Sequence, residues 1–233
     1  WLRRLRDRLR PEPTLRDLQA RRAWEDAQDF LYAASTTATR LYDDHRALRR
    51  SVFSQRPEQG LLLEFGVYRG ASLTAFAGQL DEESDARTLF GFDSFSGFSE
   101  EWTGVEGAYP RAHFDLAGGA PAVPANCRLV EGFVEETLPR FLEGEPGPVA
   151  FVHIDTDTYS PARTVLESCR PRLAPGSIVL FDELAGYPNW RSHEYRALCE
   201  VLAPDEYVYL GFAVSGPRAR LIKAAIRIEK PLG

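Results

Sequence analysis

From residue 61 onward, short apolar runs alternate with longer amphipathic stretches. The runs at 61–65, 88–92, 128–130, 149–154 and 177–181 are apolar on both faces. Helix-period segments at 71–80, 134–142 and 161–172 separate them, and Pro161 is tolerated in a first helical turn. Short two-sided runs divided by helices predict a parallel sheet covered on both faces. The last third reads differently. Segments 207–212 and 221–228 are joined through Gly216 and Pro217 with no room for a helix, so they should pair antiparallel. Seven strands, mostly parallel and ending in an antiparallel hairpin, define an α/β, Rossmann-like expectation.

The pattern before residue 60 is helical. Residues 14–50 mix charged and apolar positions at three- and four-residue steps, and Leu41, Leu48 and Val52 extend the rhythm past Thr36–Thr39. Pro57 and Gly60 then punctuate the chain. The expected division is a helical N-terminal extension over 1–58 and a catalytic domain over 59–233. The extension covers an acceptor site, pairs with a second subunit as a homo-oligomer, or does both. Segment 1–10 carries five arginines against one aspartate, with Leu2, Leu5 and Leu9 on one helical face. It is expected to dock on the body or on a partner rather than on a membrane. Segment 94–126 is long, glycine-rich and poor in pattern, as lids and binding loops are.

Composition narrows the classes. The 233 residues carry a net charge of −6 with an isoelectric point near 5.4, which weighs against a nucleic-acid partner. No 18-residue apolar run occurs, so no membrane span is expected. Cys127, Cys169 and Cys199 form no paired framework and match no zinc spacing, which fits a reducing, cytoplasmic setting. No methionine occurs, so the written chain is expected to lack its natural start.

In an open parallel sheet, ligands bind beyond the carboxyl ends of the strands. Here those ends supply Glu64, Asp93, Glu131, Asp155, Asp157, Asp182 and Glu183. Such a row is repulsive unless something positive joins it. The first turn, Glu64-Phe65-Gly66-Val67-Tyr68-Arg69-Gly70, lacks the middle glycine of a dinucleotide fingerprint. It suits a ligand with an ammonium group and a sulfonium better than a diphosphate, or is only a tight turn. Asp93 is placed to accept both hydroxyls of a ribose, or else caps a turn. No phosphate-binding loop with G-x-x-x-x-G-K-[ST] and no G-x-S-x-G elbow is present.

Asp155, Asp157, Asp182 and Glu183 are separated in sequence but lie at adjacent strand ends. Their oxygens suit Mg²⁺ or Mn²⁺; the alternative is that some of them cap helices or bind Arg163 or Arg191. One aspartate of the 155/157 pair would face the cofactor and the other the metal. His113 in the long loop and His193 after the fifth strand are candidate general bases, with Glu101 and Glu106 as further ones. His153, inside the fourth strand, reads as a core histidine or one that supports the site from behind.

These blocks, with Gly91-Phe92-Asp93-Ser94-Phe95, Glu131-Gly132-Phe133, Thr137-Leu138-Pro139, His153-Ile154-Asp155-Thr156-Asp157-Thr158-Tyr159 and Phe181-Asp182-Glu183, resemble the macrocin O-methyltransferase family over roughly residues 60–228. The resemblance implies a class I methyltransferase fold, S-adenosylmethionine as cofactor and a small-molecule acceptor, in many members a sugar hydroxyl of a natural product. It implies that Glu64, Gly66, Tyr68 and Ser72 line the methionine end of the cofactor. Asp93 with Ser94 would take the ribose, Gly132 and Phe133 would flank the adenine, and Asp157 is a further cofactor contact. It implies Mg²⁺ on Asp155, Asp182 and Glu183, with Asp155 near the reacting hydroxyl. The Asp182-Glu183 pair departs from the Asp-Asp of the macrolide-sugar enzymes, so the ligand geometry changes or the metal is lost. Trp102, Tyr109, Tyr187 and Trp190 would form an apolar lid over the acceptor or pack the lid on the body.

Overall fold

The computed structural model describes residues 13–104, 107–117, 119–215 and 221–232. The basic segment 1–10 and Glu106 therefore lie outside the described residues. The chain opens with α1 (Leu15–Ala34), β1 (Arg40–Tyr42) and α2 (His45–Phe53). It continues through β2 (Leu61–Phe65), α3 (Ala71–Glu82), β3 (Leu89–Asp93), a small antiparallel pair β4 (Trp102–Gly104) and β5 (Gly107–Tyr109), and β6 (Cys127–Glu131). Then come α4 (Val134–Gly144), β7 (Val149–Ile154), α5 (Tyr159–Cys169), β8 (Leu173–Ala185), α6 (Glu194–Val201), β9 (Tyr207–Ser215) and β10 (Leu221–Ile228).

The main sheet has eight strands in the order β1-β9-β10-β8-β7-β2-β3-β6. Strands β6, β3, β2, β7 and β8 pair in parallel, and β10 runs antiparallel to both β8 and β9. This is the Rossmann-like arrangement with a closing hairpin that the apolar runs predicted, and it is the class I methyltransferase fold that the resemblance implied. All six residues of β7 are buried, as a central strand requires. Helices α4, α5 and α6 pack on one face with α1, and α2 with α3 covers the other.

The N-terminal region corrects the expectation of a continuous helix over 14–50. Helix α1 starts at a capping box between Thr14 and Asp17 and ends at Ala34. Beyond it, Thr36 and Thr39 bond each other's hydroxyls and backbone: Thr36 N–H donates to Thr39 Oγ1 at 2.9 Å. Threonine hydroxyls at this spacing outcompete the helical ladder. Released from the helix, Arg40–Tyr42 pairs in parallel with β9 and adds an eighth strand at the sheet edge. Leu48, Val52 and Phe53 of α2 are fully buried in the core, so this part of the extension is built into the domain.

Candidate active site

The strand ends open on one cavity. Its wall includes Gly66 and Tyr68 after β2, Asp93 and Ser94 after β3, and Gly132 and Phe133 after β6. Asp155, Thr156 and Asp157 follow β7, and Glu183 lies within the long β8. Phe98, Ser99 and Phe114 come from the segment between β3 and β6. Among the described residues, five carboxylates and no basic side chain line it.

The turn after β2 passes close to the backbone after β7. Gly66 has φ +89°, and a Cβ there would sit 1.9 Å from the Asp155 carbonyl oxygen. This glycine is required by protein backbone, not only by a ligand's approach. Gly70 adopts φ +78° at the head of α3. Asp93 organises the same turn. One of its oxygens accepts the N–H groups of Val67 (2.8 Å) and Tyr68 (2.7 Å), and the other accepts Phe95 N–H at 2.8 Å. Three of the roughly four acceptor positions of a carboxylate are thus taken by backbone. Ser94 donates to the Gly97 carbonyl at 2.8 Å.

Glu64 and Ser72 do not line the cavity. Glu64 is fully buried behind it and accepts from Ser72 Oγ at 2.9 Å, and its second oxygen lies 3.2 Å from His153 Nδ1. His153 Nε2 in turn lies 3.5 Å from Asp182 Oδ1. Arg49 Nη2 reaches the same Asp182 oxygen at 3.3 Å, and Lys223 Nζ bonds the other. A continuous buried chain therefore runs Ser72, Glu64, His153, Asp182, Lys223, with Arg49 entering from α2.

The charges of this chain polarise the site. Burial alone would lower His153, but the Asp182 and Glu64 carboxylates raise it to about 9. Burial would raise Asp182, yet Lys223, His153 and Arg49 hold it well below the usual carboxylate range. The remaining acids lack such partners. Burial, then the Asp182 charge, pushes Asp155 up to about 8. Burial pushes Glu183 up to about 7. Asp157 rises well above its ordinary value through burial and Glu183, with which its carboxyl shares a hydrogen bond. Asp157 also holds φ +62°, uncommon without a glycine, and its N–H donates to buried Glu194 at 3.3 Å. Glu194, which the sequence reading missed, is a helix-start glutamate with no periodic signal to mark it.

Of the expected ligand set, the structure brings Asp155 and Asp182 together but turns Glu183 toward Asp157. His153, Asp155 and Asp182 offer donor atoms that all lie within 4.8 Å of one another. His153 Nε2 and Glu183 Oε2 are buried without a hydrogen-bond partner among the described residues.

The two candidate bases sit away from this cluster. His193 stacks on Tyr187 (5.6 Å between ring centroids, 7° between planes) with its Nδ1 3.1 Å from the tyrosine hydroxyl, and burial lowers its pKa. His113 packs between Tyr109 and Phe114 in the long segment, at 4.7 and 4.3 Å. Glu101 is exposed. That segment is tied down: Glu100 accepts Ser160 N–H (2.8 Å) and Oγ (3.0 Å) at the start of α5. Trp102 is buried, stacks on Tyr109 at 4.7 Å and meets Tyr187 edge-on at 6.1 Å. These aromatics pack the lid on the body. Trp190 is buried against Phe30 of α1 at 5.4 Å, holding the extension rather than lining the cavity.

Residues 63–184 match the methyltransferase domain family. The chain belongs to it. A curated relative from Streptomyces olivaceus, 8-demethyl-8-(2,3-dimethoxy-alpha-L-rhamnosyl)-tetracenomycin-C 4'-O-methyltransferase, is 32% identical over 143 residues, 54% of this chain and 53% of that protein. The match thus spans about half the length of that relative. The crystal structure of CalS11, a calicheamicin methyltransferase, aligns over 94% of this chain and 95% of its own, with a TM-score of 0.63 and 27% identity. The apo structure of CalS11, described as a TDP-rhamnose 3'-O-methyltransferase, aligns over 78% of each chain at 30% identity and TM-score 0.56. The O-methyltransferase NovP shares the fold at TM-score 0.55 and 19% identity.

The methyltransferase is thus a class I, S-adenosylmethionine-dependent type related to natural-product O-methyltransferases. Its cavity fits that cofactor: an acid-lined wall without basic side chains suits a sulfonium and disfavours phosphate. Half-exposed Phe133 offers an aromatic face at the β6 end. The donors a divalent cation would meet are His153, Asp155 and Asp182, and His153 Nε2 among them lacks a hydrogen-bond partner among the described residues. An imidazole among carboxylates accommodates Mn²⁺ more readily than Mg²⁺. No helix among the described residues is long and apolar enough to cross a membrane.

Proposed function

We propose that this methyltransferase transfers the methyl group of S-adenosylmethionine to a hydroxyl of a small-molecule natural product or its sugar, assisted by Mg²⁺ or Mn²⁺. The observation that carries the reading is the cavity at the strand ends, lined by the Gly66 turn and Asp93 together with buried Asp157 and half-buried Asp155 and Glu183. S-adenosylmethionine supplies an already electrophilic methyl carbon, so the protein's work is alignment, water exclusion and proton removal. Gly66, Tyr68, Asp93, Ser94, Gly132 and Phe133 hold the cofactor, with Glu64 and Ser72 supporting the turn from behind. Asp155, Asp182 and either His153 or Glu183 hold the cation, which makes a coordinated hydroxyl more acidic. Asp155, on the cavity wall, orients the acceptor hydroxyl beside the cation. His193 and His113 are the alternative proton carriers.

The narrower, macrocin-type placing rests on the five motif blocks. The nucleotide-sugar and glycoside acceptors of the relatives set the acceptors to try first. The three thiols, none of them disulfide-bonded, agree with a cytoplasmic setting. Leu15, Leu18 and Tyr32 of α1 lie exposed, which supports a homo-oligomer through this helix. Sedimentation of Leu18→Glu, expected to shift a dimer to monomer, checks it.

Calorimetric titration with S-adenosylhomocysteine tests the core of the reading. Binding in the micromolar range is expected, and no heat at high concentration overturns it. A second reading, a metal-independent methyltransferase acting on nitrogen or carbon, is favoured by one observation: Lys223 already neutralises Asp182. Activity that survives exhaustive chelation would select it.

A further inference from the structure

Lys223 is a buried ammonium that methyl transfer does not use. It sits on β10, the one strand running against the sheet, and its side chain is 8% exposed. The register of β10 on β8 shifts between Ile222 and Ala224, so Lys223 stands at the irregularity. Such a bulge re-aims a side chain. Here it sends Nζ to the Asp182 carbonyl oxygen at 3.0 Å and to the Asp182 carboxylate. Arg49 holds the other carboxylate oxygen from α2, itself only 16% exposed. His45, one turn before Arg49, feels the positive charges of both. Asp182 is therefore enclosed by protein cations contributed by the C-terminal hairpin and the N-terminal extension.

The convergent donors for a divalent cation include this same carboxylate. A cation arriving at His153, Asp155 and Asp182 meets an ammonium already bonded to one of its three ligands, and two positive charges at that separation repel strongly in a buried site. We infer that Lys223 is a built-in competitor for the divalent cation: binding at this site is an exchange in which the ion displaces the Lys223 ammonium from Asp182. The inference rests on the cation-assisted reading above. Lys223 is then a positioning residue. It keeps Asp182 ionised and aimed at the site while the cation is absent, and it weakens cation affinity. It also makes the C-terminal hairpin, far from the glycine turn in sequence, a determinant of metal response.

Mn²⁺ titration of the full chain saturated with S-adenosylhomocysteine, followed by electron paramagnetic resonance of free Mn²⁺, tests this. Lys223→Met keeps the volume and removes the charge; it should bind Mn²⁺ at least tenfold more tightly than wild type. Lys223→Arg, which keeps the charge, should stay within about threefold of wild type. Melting should show the same order, with Mn²⁺ raising the melting temperature of Lys223→Met more than that of wild type. Equal or weaker Mn²⁺ affinity in Lys223→Met overturns the inference while leaving a cation site intact. No Mn²⁺ binding to wild type or variant, with S-adenosylhomocysteine still bound, removes the cation itself and the inference with it. If Lys223→Met does not fold, Arg49→Gln supplies the reading: a severalfold gain in Mn²⁺ affinity supports competition at Asp182, and no gain overturns it.

Discussion

At the scale of single residues, the turn after β2 depends on two side chains with one job. Asp93 gathers three backbone N–H groups, and Gly66 lets that backbone pass the Asp155 carbonyl. Asp93→Asn replaces an acceptor oxygen by a donor facing other donors. It should destabilise the fold by about 1–3 kcal/mol and weaken S-adenosylhomocysteine binding, read by melting and calorimetry on the same sample. Gly66→Ala meets both a clash and a positive φ, so a loss of about 3 kcal/mol or more is expected in denaturant titration. A stable Gly66→Ala protein would mean that the close approach seen here is not kept in solution. Asp93 shows why a motif's residue type and its task separate: the carboxylate at that strand end was legible, but its backbone clients were set by where the turn folds back.

At the scale of elements, α1 is held by a few contacts. Phe30 touches Trp190, Tyr195, Tyr209 and Phe212, with ring centroids between 5.2 and 5.9 Å. Arg191 and Asp26 add an ion pair at 2.8 Å, both half exposed. Aromatic burial should far outweigh the exposed pair. Phe30→Ala is expected to lower stability by about 3 kcal/mol and open α1 to limited proteolysis. Arg191→Ala should change stability by no more than about 1 kcal/mol. Similar losses for the two variants would contradict this ordering. The anchoring explains why Trp190, for which the sequence left an acceptor lid or packing on the body open, belongs to the core: a neighbouring helix supplies the ring it covers.

At the scale of the whole molecule, the sheet gathers more acid than its cations neutralise. Asp155 near 8, Glu183 near 7 and His153 near 9 all bind their protons more tightly in the folded chain than in the unfolded one. Their contribution is present at low pH and lost as pH rises through those values, because the unfolded chain then releases protons that the folded chain retains. Cation-free protein should therefore melt several degrees lower at pH 9 than at pH 6, with 1 kcal/mol corresponding to about 2–4 °C at this size. Asp155→Asn, which cannot ionise, should flatten the trend. A melting temperature that rises from pH 6 to 9 would mean these acids are already fully charged in the folded state.

The features legible along the chain were local. Apolar runs on both faces specified the five parallel strands, the short link through Gly216 and Pro217 specified the antiparallel ending, and acids at the strand ends marked the side on which chemistry sits. Those signals are legible because burial on two faces and the direction of a strand end are properties of a few consecutive residues. The three-residue β1, with Leu41 exposed, carried no such signal; it exists because β9 offers an edge to pair with. The tertiary structure decided how the acids divide. Parallel crossovers set Asp155 beside Asp182, a shifted register on β10 swung Lys223 onto Asp182, and α2 added Arg49. Which carboxylate is neutralised, which keeps a proton and which is left to meet a cation depends on distances between residues up to 174 positions apart, from Arg49 to Lys223. Periodicity along the chain carries no record of such distances.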